Sequence, residues 1–404
     1  MQELLFVFGR NKELSLLEAV SYFRANGFEF QIQFLSKDSV IFQLPDSFKS
    51  SERIKDFGGI VKIGKVMIHA GGEGFDDLKE KLEAIDFTER LGKKFFYSIQ
   101  DYGETQGNNE LCSFIGEYFK QKFKGQRLKA MFKQPKQVKG EKKNTISPKL
   151  LAKRLATEHL DLFFIDVGEK ILLGETVASS NPLDFAERDT QRPVVKAELV
   201  TSVRLARILV NLAGAEKGKT ILDPFCGIGS IMQEILLSRH NAIGVDASAE
   251  NASACEQNLE WTKKKYHVQR EFSVFNNDSR RLSSFLKQGS FQAVVSEPYL
   301  GPYLRKLPSQ PTAERTAREL ESLYAGVFKE LSKLLSKGGK VVFIMPVFPT
   351  IQNKKVKIPE TVFLNNGFKK ANPLLKELPD ALPFVYKDAE SRIERLIYVL
   401  EKTL

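Results

Sequence analysis

The stretch Thr220-Ile221-Leu222-Asp223-Pro224-Phe225-Cys226-Gly227-Ile228-Gly229-Ser230 constrains this chain more than any other. A short apolar run ends in an acid and turns through two glycines into a helical pattern, which predicts a strand, a tight turn and a helix in that order. Glycines at such a turn let a ligand approach the backbone, and the helix start beyond them offers N–H groups without intrahelical partners. Asp223 would repel a pyrophosphate at this turn, whereas it would accept hydrogen bonds from an ammonium or a hydroxyl.

From 220 to the C-terminus, apolar runs alternate with helical stretches, the pattern of a mostly parallel sheet with helices on both faces. The run at 242–245 ends in Asp246, 23 positions beyond Asp223, where an acid is placed to bind both hydroxyls of a ribose. The run at 272–275 leads to Asn276, Asn277 and Asp278; Asp278 is placed either to accept an adenine amino group or to cap the next helix. Three acids at three successive strand ends suit a nucleoside with an amino-acid tail, as in S-adenosylmethionine. The fourth run, 293–295, enters Ser296-Glu297-Pro298-Tyr299-Leu300-Gly301-Pro302. This short turn offers a side-chain oxygen, a carbonyl before proline and an aromatic ring. Together they suit a planar amine, with Tyr299 either stacking on its ring or merely packing.

The first 70 residues read as strand, helix, strand, strand, short helix, strand, a ferredoxin-like βαββαβ order. Phe28, Phe30, Ile32 and Phe34 alternate with Glu29, Gln31 and Gln33 as in a half-buried strand. Gly71, Gly72 and Gly74 read as a linker. Residues 75–178 read as a second α/β unit, with helices at 77–91, 109–123 and 148–156 and strands at 95–99, 162–167 and 171–176. Within it, Arg127, Lys129, Lys133, Lys136, Lys139, Lys142 and Lys143 stand against the single acid Glu141. Such a run either pairs with phosphates, without regard to sequence, or is a solvated loop. Residues 179–199 read as a charged linker, and 200–212 as the helix that opens the C-terminal domain.

Composition bears on partner and compartment. Lys and Arg number 61 against 50 Asp and Glu, a net charge of +11; this suits a polyanionic partner or reflects a lysine-rich surface. No run approaches the roughly 18 apolar residues needed to cross a bilayer, and the N-terminus lacks the basic flank of a signal peptide, so a cytoplasmic location away from membranes is expected. Cys112, Cys226 and Cys255 form no CxxC pair, so neither disulfides nor structural zinc are expected.

The stretches 223–230 and 296–302 together resemble the Rossmann-like catalytic domain of the THUMP-domain RNA methyltransferases. Within that group they resemble the enzymes that methylate the 2-amino group of guanine 10 in tRNA. The arginine-proline stretch Arg188-Asp189-Thr190-Gln191-Arg192-Pro193 is similar to the entry of that domain, and Phe384-Val385-Tyr386 with Ser391 to Leu400 to its closing hairpin. The resemblance implies an N-terminal ferredoxin-like domain at 1–70, a THUMP-like RNA-binding domain at 75–178, a linker at 179–199 and a seven-stranded Rossmann-like domain at 200–404. It further implies S-adenosylmethionine as cofactor, without a metal. Asp223, Phe225, Gly227 and Gly229 would border its methionine and ribose, Asp246 the ribose and Asp278 the adenine, while Ser296, Pro298 and Tyr299 would form the target-base turn. One departure stands out: the family turn reads Asp or Asn, Pro, Pro, Tyr, and here it reads Ser, Glu, Pro, Tyr.

The expected activity is therefore methyl transfer to the 2-amino group of a guanine in tRNA. Ribosomal RNA or the amino group of a DNA base remain alternative targets, as does tRNA binding without catalysis. The sequence leaves room for a small activator subunit.

Overall fold

The computed structural model describes residues 1–71, 75–86, 91–103, 109–133, 136–137, 144–145, 147–155, 158–196, 201–374, 378–379, 381–387 and 391–403. They form two compact units, one from Met1–Leu16 and Phe28–Asp184, the other from Leu17–Gly27 and Phe185–Leu404. Among the described residues no helix is long and apolar enough to cross a membrane, and no cluster of metal-ligating side chains occurs.

The N-terminal elements run β1 (Gln2–Phe8), α1 (Lys12–Ala25), β2 (Gln31–Leu35), β3 (Ser39–Leu44), α2 (Ser50–Arg53) and β4 (Ile60–Gly71). They continue with α3 (Asp76–Glu83), β5 (Lys94–Asp101), α4 (Asn109–Gly125), β6 (Lys129–Phe132), β7 (Lys136–Gln137), β8 (Asn144–Thr145), α5 (Pro148–Arg154), β9 (His159–Asp166) and β10 (Lys170–Ser179). The expected βαββαβ order is present at 2–71. Its second helix is one turn of α2 extended by a 3-10 turn at Ile54–Asp56. Phe28 and Phe30 precede β2 rather than lie in it, and pack their rings on Phe48 and Phe42 at 5.3 and 5.8 Å.

One eight-stranded sheet, in the order β2-β3-β1-β4-β10-β9-β5-β6, runs through both halves of this region, because β4 pairs antiparallel with β10. The helix expected to reach 91 stops at Glu83, and Leu91 returns to the core as a separate buried residue. On α4, Leu111, Ile115, Phe119 and Phe123 recur every four residues, so one helical face meets the apolar side of β5 and β9.

The second unit runs α6 (Pro182–Thr190), α7 (Val203–Ala213), β11 (Thr220–Asp223), α8 (Ser230–Leu237), β12 (Asn241–Asp246), α9 (Ala249–Tyr266), β13 (Phe272–Asn276) and β14 (Phe291–Ser296). It closes with α10 (Gln310–Leu334), β15 (Leu335–Pro349), β16 (Lys355–Lys357), α11 (Thr361–Leu364), β17 (Phe368–Lys370), β18 (Phe384–Lys387) and β19 (Glu394–Lys402). Its sheet follows the order β13-β12-β11-β14-β15-β19-β17, seven strands in one path, with β16 and β18 as short additions. The inner strands pair in parallel and are buried on both faces, as continuous apolar runs must be. Ala313, Ala317, Leu320, Tyr324, Val327, Phe328, Leu331 and Leu334 line one face of α10 and join the core over β14 and β15.

The segment read as a charged linker at 179–199 instead contains α6, and its arginines are buried. Arg188 donates through Nε to Glu234 Oε1 at 2.8 Å, and Arg207 of α7 donates to Glu234 Oε2 at 2.7 Å. Arg192 donates to Ser230 Oγ at 2.8 Å. Charged residues read as solvated in a sequence, but these pair inside the fold, which is the condition on which a charge tolerates burial.

Candidate active site

From β11 the chain steps outward to β12 and β13, then returns to place β14 and β15 on the other side of β11. The crevice at the carboxyl ends of β11 and β14 is therefore the switch point where open α/β sheets take ligands. Asp223 ends β11 and Ser296 ends β14, so the fold brings together two turns 73 residues apart.

Asp223 is 1% exposed. Its Oδ1 accepts the Ser296 hydroxyl at 2.7 Å and the Phe225 N–H at 3.1 Å. Burial pushes its carboxyl up to about 7 against these two hydrogen bonds, with Asp246 and Glu297 adding repulsion. The acid expected to border a ligand is thus buried, and its side chain links Phe225, two residues before Gly227, to Ser296. Ser296 is likewise fully buried, with its hydroxyl hydrogen directed inward to Asp223 rather than into an open cleft.

The glycine turn itself has two unlike members. Gly227 has φ +51° and open space where a Cβ would stand, while Gly229, the N-cap of α8, has φ +93° and would place a Cβ 2.9 Å from Cys255 Sγ. Gly229→Ala is therefore expected to cost about 2 kcal/mol or more in unfolding measurements, and Gly227→Ala about 1 kcal/mol. Equal losses would contradict this geometry.

Asp246, half-buried at the tip of β12, accepts the Gly227 N–H through Oδ2 at 3.0 Å; its Oδ1 accepts Ser248 N–H at 2.9 Å and Asn251 Nδ2 at 3.2 Å. Its carboxylate accepts the N–H of Gly227, where space is open for a ligand, and of its roughly four acceptor sites these three bonds leave one, on Oδ2, for a ribose hydroxyl. Asp278 has the capping role: it accepts the Arg280 N–H at 2.8 Å and holds the Arg280 guanidinium at 2.6 Å, which keeps its carboxyl below the usual range. The open face of Gly227 and the remaining acceptor site of Asp246 beside it fit a nucleoside.

Beyond Ser296 the turn is tied down. Glu297 accepts from Arg395 Nε at 2.5 Å and from the Thr201 hydroxyl, and Tyr324 donates its hydroxyl to the Tyr299 carbonyl at 2.7 Å. Pro298 is buried, whereas the Tyr299 ring is 53% exposed. Tyr303, Arg305, Lys306 and Leu307 follow on the surface, adding an aromatic ring and two cations that the sequence reading did not single out. Thr201, Arg395 and Tyr324 were also missed, since nothing local marks a residue whose partner is distant.

Of the basic run, Arg127 and Lys129 are exposed, and Lys133 stands 5.7 Å over the Phe96 ring, which Arg154 also approaches at 5.9 Å. Lys129 lies on β6, which extends the sheet by pairing with β5, and Lys136 on β7. Lys139, Lys142 and Lys143, like Gly72 and Gly74, lie outside the described residues.

Comparison with known proteins finds methyltransferases. Residues 194–354 match the UPF0020 family model, described as an RMKL-like methyltransferase domain. A tRNA (guanine(10)-N2)-dimethyltransferase of Methanothermobacter thermautotrophicus is 28% identical over 152 residues, 38% of this chain and 40% of the relative. That of Methanocaldococcus jannaschii is 30% identical over 141 residues, 32% of this chain and 39% of the relative. The chain thus matches well under half the length of either relative. TrmN from Thermus thermophilus shares the fold over 100% of both chains, with a TM-score of 0.53 and 15% identity. Residues 194–354 of the second unit are thus similar to an RMKL-like methyltransferase domain, and the cofactor is S-adenosylmethionine.

Proposed function

We propose that this protein methylates the 2-amino group of a guanine in tRNA, with position 10 as the favoured target. The observation that supports the reading is the Ser296–Asp223 hydrogen bond between the ends of neighbouring β14 and β11, since it would set the glycine turn that follows Asp223 beside the turn carrying the exposed Tyr299. The names of the relatives that match this domain supply the target.

When bound, the cofactor supplies a methyl group already activated on a sulfonium, so the protein's task is alignment rather than activation of a nucleophile by a metal. In this reading Asp246 and Gly227 hold the nucleoside, and Asp223 keeps the Phe225 and Ser296 ends of the two turns in register. Tyr299 stacks on a base drawn out of the RNA, and the carbonyl of Glu297 accepts an amine hydrogen. Residues 75–178, read as a THUMP-like module, would grip phosphates through Arg127, Lys129 and Lys133, with Lys136, Lys139, Lys142 and Lys143 adding charge.

The test is incubation of the purified chain with S-adenosylmethionine and unmodified tRNA, ribosomal RNA or duplex DNA, followed by digestion and mass spectrometry of nucleosides. Methylguanosine carrying its methyl on the 2-amino group, from tRNA alone, is expected; Asp246→Ala should weaken S-adenosylhomocysteine binding in parallel. Product from ribosomal RNA or DNA would reassign the substrate. Tight tRNA binding without product would indicate a non-catalytic protein.

A further inference from the structure

The 296–299 turn departs from its surroundings in carrying a carboxylate that neither faces solvent nor lies free. Glu297 has a side chain 10% exposed, and both its oxygens are engaged. Oε1 takes the Nε hydrogen of Arg395, 98 residues away on β19, at 2.5 Å; Oε2 takes the hydroxyl of Thr201, which precedes the Ser202 cap of α7. Arg395 is itself fixed by register, opposite Pro346 of β15 and Tyr386 of β18. On the far flank, Tyr324 holds the Tyr299 carbonyl, and Gly301 turns the chain at φ +97°.

This arrangement has a consequence for chemistry. Ser296 is fully buried and directs its hydroxyl hydrogen to Asp223, so its side chain is engaged within the fold; the turn continues through the main-chain carbonyl before Pro298 to the exposed Tyr299 ring. A main-chain carbonyl is aimed only as well as its backbone is held. A residue pinned by its side chain to two elements, with a buried proline after it, is held from both ends.

We propose that Glu297 and Arg395 are positioning residues: their ion pair, with Thr201, locks the 296–299 turn so that the Glu297 carbonyl and the Tyr299 ring meet the target amine in one geometry. The inference rests on the methyl-transfer reading for its effect on rate, but the locking itself does not. The pair acts through the turn and touches no reacting atom. Misplacement of a reacting group by about 1 Å can cost on the order of a hundredfold in rate.

The experiment compares the full chain with Glu297→Gln, Arg395→Gln, the double variant and Arg395→Lys. With tRNA as substrate, each Gln variant should lower kcat about 10- to 100-fold, leaving KM for tRNA and affinity for S-adenosylhomocysteine within about twofold. The double variant should be no slower than either single, and Arg395→Lys, which restores the charge, should recover part of the loss. Unchanged kcat, losses that multiply, or a parallel fall in cofactor affinity would overturn the proposal.

Amide hydrogen exchange provides a readout that needs no activity. Protection at 297–303 should fall in Arg395→Gln and return in Arg395→Lys, while the rest of the second unit stays protected. If the wild type methylates no RNA, the functional reading fails and this exchange pattern alone decides: unchanged protection at 297–303 would reject the lock. Should Arg395→Gln not fold, Arg395→Lys and Glu297→Gln carry the same comparison.

Discussion

Replacing Glu234 by Gln is expected to destabilise the second unit by about 3–5 kcal/mol, the range seen when one partner of a buried charge pair is removed. Glu234 is fully buried on α8 and takes Arg188 at one oxygen and Arg207 at the other, both guanidiniums being under one-tenth exposed. The amide keeps a single acceptor and no charge, so two buried cations lose their shared counter-charge. Because α6 and α7 are both tied to α8 through this one side chain, the loss should appear as a fall of about 10 °C in the unfolding temperature of that unit. Replacing Arg188, Arg207 and Glu234 together by methionine should recover much of it, since the penalty lies in the unpaired charges rather than in the absence of the bridges. A Glu234→Gln protein within about 1 kcal/mol of wild type would show that the three side chains do not form this unit in solution.

The second expected result concerns Asp223 and has a pH signature. Its carboxyl is raised from 3.8 to about 7 by burial, so between those values the folded protein holds a proton that the unfolded chain has released. The stability it contributes is fully present below about pH 4 and is lost as pH rises through 7. His159 and His240 act with the opposite sign. Burial lowers each from 6.5 to about 4, so each favours the folded state above pH 6.5 and loses that contribution as pH falls through 4. The total profile is thus partly cancelled, and the Asp223 part emerges as the difference between wild type and Asp223→Asn. That difference should move in favour of the variant across pH 4 to 7 and reach on the order of a few kcal/mol at pH 8. Unfolding curves of both proteins at pH 5, 6, 7 and 8 would measure it. A difference independent of pH would mean that Asp223 is ionised throughout, with Ser296 and Phe225 holding its charge more firmly than burial opposes it.

These two groups also mark the boundary between what is local and what is not. The strand ending in Asp223, the Gly227 to Gly229 turn and the acid closing the next strand were legible because each depends on contacts within a few residues: alternation of apolar runs with helical spacing, glycines at positive φ, acids at strand ends. The Rossmann-like class followed, and the observed seven-strand path agrees with it. The closing hairpin was expected from the family resemblance, and β18 and β19 do pair antiparallel.

What the side chains face was decided by tertiary structure alone. Ser296 read as an oxygen offered to a substrate, and Glu297 only as part of the departure from the family turn. Their orientations depend on Asp223, 73 residues away, and on Arg395, 98 residues away. Arg188 and Arg192 read as a charged linker because a sequence carries no sign of the buried Glu234 and Ser230 that receive them. Asp278 allowed two readings; the Arg280 N–H shows it as a cap, and its guanidinium partner is a further contact that the sequence did not mark. Periodicity and turn chemistry are short-ranged, so the sequence by itself determined the elements and the strand ends at which the candidate site is proposed. Burial and charge pairing arise only when distant strands meet at the switch point, and they determined which atoms that site presents.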